Sequence, residues 1–128
     1  MPATRIDTRR GWIGSRHLEM LSALQRALET GLKIPAHDRC IVLQEHEPDS
    51  FLVPPGVGPN YMVVEIVLFN GRSLDAKRRL YSEIVTEMRA FGLAPSDVKT
   101  VLVESTRENW GLRGKAACDI DLGFKVEV

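Results

Sequence analysis

The opening stretch MPATRID puts a proline directly after the initiator methionine. Proline's fixed φ and missing N–H suit the first residue of a strand. Processing aminopeptidases also remove a methionine that precedes proline, and the chain would then begin with a free secondary amine able to accept a proton. Other reactive side chains offer less. His17, His37 and His46 lack the spacing of a metal site, and EHE at 45–47 would send alternate side chains to opposite faces of a strand, so no metal is expected. Cys40 lies in the apolar run CIVL and Cys118 in a polar tail, and both are expected as reduced thiols without chemistry.

The chain that must position this amine has 128 residues, 44% of them apolar, which fits one domain over residues 1–128. Seventeen basic residues balance seventeen acidic ones, leaving no basic field for nucleic acid or anionic lipid, although a single arginine can still hold a small anion. No signal-peptide core and no apolar run near the ~18 residues of a membrane span is visible, so a soluble, cytoplasmic protein without membrane or nucleic-acid partners is expected.

One pattern occurs twice. ATRID, a helical stretch from Ser15 to about Leu32 and RCIVLQE form the first copy; MVVEIVLF, a helix from Ser73 to about Phe91 and KTVLVE form the second. Leu18, Leu21, Leu24, Leu28 and Leu32 give the first helix its buried face, and Leu80, Tyr81, Ile84, Val85 and Met88 the second. Ser15 and Ser73 are candidate N-caps, Gly31 and Gly92 lie near the helix ends, and Pro35 and Pro95 prevent continuation. Gly11 and Gly71, Ile6 and Ile66, Leu21 and Tyr81, Leu24 and Ile84, and Pro35 and Pro95 match at an offset of sixty, as an internal duplication would require. The copies fall at about 2–46 and 62–105, joined by a proline-rich linker at about 47–61 and followed by a tail at about 106–128.

Strand, helix and strand make a right-handed crossover, so each copy supplies two parallel strands and its helix covers one sheet face. VVEIVLF is apolar at nearly every position, so the second face needs cover, and another copy of the chain is the simplest supplier. The alternating FKVEV at the end of the tail is expected to add a short strand to a neighbouring subunit's edge. Under the sixty-residue offset Pro2 matches Met62, at the start of a central strand. An α-amino group there, with ordinary pKa about 7.7–8.0, would be pushed toward its neutral form by desolvation or a nearby cation, and a neutral amine is a competent general base.

The N-terminal MP, the doubled β-α-β, PAHDRC at 35–40, NGRS at 70–73 before a helix, and VLVESTRENWG at 101–111 together resemble the tautomerase superfamily. That superfamily includes 4-oxalocrotonate tautomerase and macrophage migration inhibitory factor, and the likeness is greatest to its malonate semialdehyde decarboxylase branch. The resemblance implies an α+β fold with a four-stranded mixed sheet, two helices on one face and a homotrimeric assembly with three sites. It implies a cofactor-independent tautomerase or isomerase acting on small 2-oxo acids or their enols, with Pro2 as general base and acid, Arg72 holding the substrate carboxylate and Asp38 orienting water or the proline nitrogen. It implies adjacent, antiparallel first and third strands, which would bring Pro2, Asp38 and Arg72 to one end of the sheet. Arg72 also precedes a helix start, where backbone N–H groups favour an anion.

By the same resemblance Trp110 forms a pocket wall. The decarboxylase pattern has RxRS where this chain reads NGRS, so Asn70 stands in place of one arginine at the substrate site. Leu112 replaces an aromatic, and Arg113 beside it is the candidate for a displaced cation. Two other readings remain at this stage. One is a decarboxylase-like or dehalogenase-like hydratase activity. The other is a non-catalytic ferredoxin-like binding module, since that fold has the same element order; its RNA-binding form lacks the necessary strand aromatics here.

Overall fold

The computed structural model describes residues 2–128. Strand β1 (Ala3–Arg9), helix α1 (His17–Leu32) and strand β2 (Ile41–His46) make the first half of the fold. Strand β3 (Met62–Phe69), helix α2 (Leu74–Met88) and strand β4 (Val98–Ser105) make the second, and a small hairpin of β5 (Gly111–Leu112) and β6 (Lys115–Ala116) lies in the tail. The four long strands form one mixed sheet in the order β2-β1-β3-β4. Each helix joins a parallel pair, β1 with β2 and β3 with β4, and the halves meet through antiparallel β1 and β3.

Alternation along the strands decides what each face holds. Ile6, Met62, Val64, Ile66 and Leu68 are fully buried against the helices, where they meet Met20, Leu24, Leu28, Leu80, Ile84 and Met88. Leu18 and Tyr81, expected on the buried helix faces, are 79% and 38% exposed. Both lie at the margins of the apolar stripe, beyond the reach of the sheet. The opposite sheet face carries exposed Val42, Val101 and Val103 and half-buried Val63 and Val67, interspersed with charges. There Asp7 accepts from Arg5 Nε at 3.0 Å and lies 2.6 Å from His46 Nε2. The chain itself covers the two ends of this face, the Phe69 end through Ala117 and Val126 of the tail and the His46 end through Phe51, whose ring lies 5.8 Å from that of His46.

Two local expectations are corrected. Helix α1 begins at His17 with Arg16 as its N-cap and no side-chain cap, so Ser15 does not cap it. Buried Ile13 fixes the preceding turn instead, its carbonyl accepting from Arg16 N and Nε. Gly31 does not terminate α1 either. Its backbone packs on α2, where a Cβ would stand 2.7 Å from Leu80 Cα, and the left-handed C-cap falls to Lys33 at φ 57°. Ser73 does cap α2, accepting from Ala76 N at 3.1 Å, and Gly92 takes its left-handed position at φ 83°. FKVEV, expected to add a strand to a neighbouring subunit, pairs with no strand of its own chain. Val126 is buried beside Phe69, and Val128 O accepts from Ser73 N and Oγ, folding the segment onto the chain's own β3–α2 turn.

The Gly31 contact gives a stability prediction. Gly31→Ala gains roughly 1 kcal/mol of helix propensity, but its methyl must displace backbone, and overpacking of this kind costs about 1–3 kcal/mol. A lower urea midpoint is expected; an unchanged or raised midpoint would show that the helices separate freely.

Candidate active site

The register of β1 defines one end of the sheet. Ala3 pairs with Val67 on one side and Thr4 with Ile41 on the other, so the start of β1 lies between the end of β3 and the start of β2. Thr4 N donates to Cys40 O at 3.0 Å, extending the contact toward the segment that carries Asp38. Pro2, one residue before β1, is buried. Met1 lies outside the described residues, so the sequence reading of its removal does too. Asp38 is 5% exposed; its N–H donates to Pro35 O at 3.0 Å and its carbonyl accepts from Gln25 Nε2 of α1 at 3.2 Å. The turn is thereby fixed to both helix and strand.

Arg72, three residues past β3, completes the group. It is 5% exposed, and its Nη1 donates to Phe69 O at 3.2 Å. Nε and Nη2 are buried with no acceptor. Burial draws this guanidinium below its ordinary pKa; the charge of Asp38 opposes that, Arg107 adds to it, and Glu127 and Glu104 oppose it. An arginine remains protonated through such changes. Two unused donors on a buried cation cost about 1–3 kcal/mol each unless an acceptor arrives. Nε and one Nη form the side-on fork that a carboxylate matches.

Phe69 joins the polar and apolar parts of the site. Trp110 meets its ring edge-on at 5.0 Å and 73°, and Leu112, Leu122 and Phe124 pack around the same cluster. Leu112, Leu122 and Phe124 also line an open cleft of about 430 Å³ with His37, Arg113, Asp121 and Gly123. Arg113 is exposed at the apex of the β5–β6 hairpin, where it and Gly114 have φ 54° and 77°, the left-handed pair of a tight two-residue turn. Asn70 is exposed, and its N–H donates to Ser105 O at 3.0 Å, extending the β3–β4 pairing. Pro2, Asp38 and Arg72 are thus brought to one sheet end. Trp110 packs on Phe69, whose carbonyl accepts from Arg72, and Arg113 lines the cleft that includes His37, the neighbour of Asp38.

The sequence reading missed Arg107. Its Cζ stands 5.8 Å from the Phe69 centroid, and its charge opposes that of Arg72. Parallel pairing of Phe69 with Ser105 was the available signal, because it places the residues following β3 beside those following β4. Among the described residues, no cluster of three or more His, Cys, Asp or Glu could hold a metal, and no helix is long and apolar enough to cross a membrane.

A family model described as "Tautomerase enzyme" matches residues 17–113, and the chain belongs to that family, Tautomerase_2. Among solved structures it is similar to the FG41 malonate semialdehyde decarboxylase inhibited by 3-bromopropiolate, at 25% identity and TM-score 0.81, covering 90% of this chain and 92% of that one. It is similar in fold to another malonate semialdehyde decarboxylase at 23% identity and TM-score 0.82, over 93% and 99% of the two chains. A fused 4-OT, a symmetric trimer, matches at 22% identity and TM-score 0.80, over 91% and 96%.

If Arg72 is held for binding, removing it should cost no stability. Arg72→Met is expected to leave the thermal midpoint unchanged or raise stability by about 1 kcal/mol, because its unmatched donors disappear. A fall of several degrees would mark Arg72 as a structural residue.

Proposed function

We propose that this protein is a cofactor-independent tautomerase of small 2-oxo acids or their enols. The observation that carries the reading is the buried guanidinium of Arg72, with two donors open, at the sheet end where β1 begins. Arg72 takes the substrate carboxylate in its fork. With Met1 removed, the Pro2 nitrogen accepts the enol hydroxyl proton and returns a proton to carbon, so that the C–O bond becomes C=O while the C=C bond becomes single. Asp38 orients the proline nitrogen or a water, Trp110 is an apolar wall, and Asn70 and Arg113 contact substrate at the rim. The reading assigns no step to a metal or organic cofactor.

A homotrimer with three sites belongs to the same proposal. The valines of the uncovered sheet face support it, as does the trimeric fused 4-OT. Decarboxylase or hydratase chemistry is the second reading, favoured by the likeness to malonate semialdehyde decarboxylase.

Intact mass decides first whether Met1 is lost. Ketonisation of phenylpyruvate and 2-hydroxymuconate enols, followed by absorbance, then compares processed protein with protein blocked at the Pro2 nitrogen. Blocking is expected to lower the rate by ~10²–10⁴-fold. A base works as the neutral amine, so kcat/KM of the processed form should rise with pH through the amine pKa and then level. An unchanged rate after blocking would leave Pro2 as only the first residue before a strand. Arg72→Gln should lower kcat/KM for carboxylate substrates by about 10–100-fold, the loss of charge-assisted hydrogen bonds. Neutral enols should be little affected.

A further inference from the structure

Phe69 serves two arginines. Its carbonyl accepts from Arg72, while its ring lies under the Arg107 guanidinium. The charges are near enough that Arg107 works against protonation of Arg72. Such a pair would give the site mouth two positive charges, yet the chain supplies its own counter-ion. Arg107 Nη2 donates to Glu127 Oε1 at 3.0 Å, and Glu127 also favours the charged form of Arg72. Gly71 is at φ 116°, and a Cβ there would lie 3.5 Å from Glu127 Cγ, so Glu127 lies directly over the turn that carries Arg72. Glu104, the other acid near that turn besides Asp38, is already paired with Lys77 at 2.6 Å.

We infer that Glu127 is a specificity-determining residue: by neutralising Arg107 it leaves Arg72 as the one available anion anchor beside Phe69 and repels a second carboxylate on the substrate. The inference rests on the proposed carboxylate-binding role of Arg72. Glu127 is 69% exposed in its side chain and held by one ion pair, so its replacement removes charge without opening the core. Val126 in the Phe69 cluster and Val128 on Ser73 keep the segment in place on either side. The site therefore favours 2-oxo monocarboxylates over dicarboxylates of the same length.

The test is calorimetric binding of 2-oxopentanoate and 2-oxoglutarate, five-carbon 2-oxo acids differing by one carboxylate, at constant ionic strength. The intact protein should bind 2-oxopentanoate at least as tightly as 2-oxoglutarate. Glu127→Gln should tighten 2-oxoglutarate about tenfold, the order expected for one partly screened charge, and change 2-oxopentanoate less than about twofold. Adding Arg107→Gln to Glu127→Gln should return 2-oxoglutarate to its original affinity. An unchanged ratio in Glu127→Gln, or a gain that survives in the double variant, overturns the inference. Because binding is read separately from turnover, the expected ratios without enol turnover would overturn the tautomerase reading alone, whereas turnover with unchanged ratios would overturn only the role of Glu127.

Discussion

The antiparallel pairing of β1 with β3 is the constraint on which the rest of the site depends. Each half of the fold has its own parallel pair, but neither alone contains the residues of the candidate site. Opposing Ala3 to Val67 brings the beginning of the chain against the end of β3, and the turn after β3 carries Arg72. Parallel pairing of β1 with β2 brings the Asp38 turn to the same end. Three distant stretches of sequence converge because two strands run in opposite directions.

Arg72 then sets the energetics. A guanidinium this buried loses hydration, and one hydrogen bond to Phe69 O does not replace it. The surrounding charges keep the cation tolerable without saturating its donors, since Asp38, Glu104 and Glu127 act at a distance while the hydrogen-bonding fork stays open. The tail completes that environment by burying Val126 against Phe69 and laying Glu127 over the turn. The guanidinium is thereby left incompletely solvated inside the folded protein.

Much of this was legible in the sequence, for identifiable reasons. Period-3.6 stripes bounded by Ser73 or proline marked the helices, and the sixty-residue offset implied two equivalent crossovers. The resemblance supplied the antiparallel join, which neither periodicity nor composition contains. Ser15 and Gly31 misled because local punctuation competes with tertiary contact: Ile13 anchors the first turn, and Gly31 is required by Leu80. FKVEV has strand alternation, but the free edges of the sheet belong to β2 and β4, while this segment lies over the end of β3. Arg107 was hidden inside a quoted motif because its importance comes from register rather than from its immediate neighbours.

The close approach of Gly31 to Leu80 also sets the two halves of the fold apart. At the sixty-residue offset, the counterpart of Gly31 is Phe91 and that of Leu80 is Met20. The first half has therefore become a notch and the second a plug, although both keep the same order of elements. Joining two first halves would set the notch opposite a methionine; joining two second halves would bring a phenylalanine to the place where a Cβ already has no room. The path of the backbone repeats between the halves, but their facing side chains are not interchangeable parts.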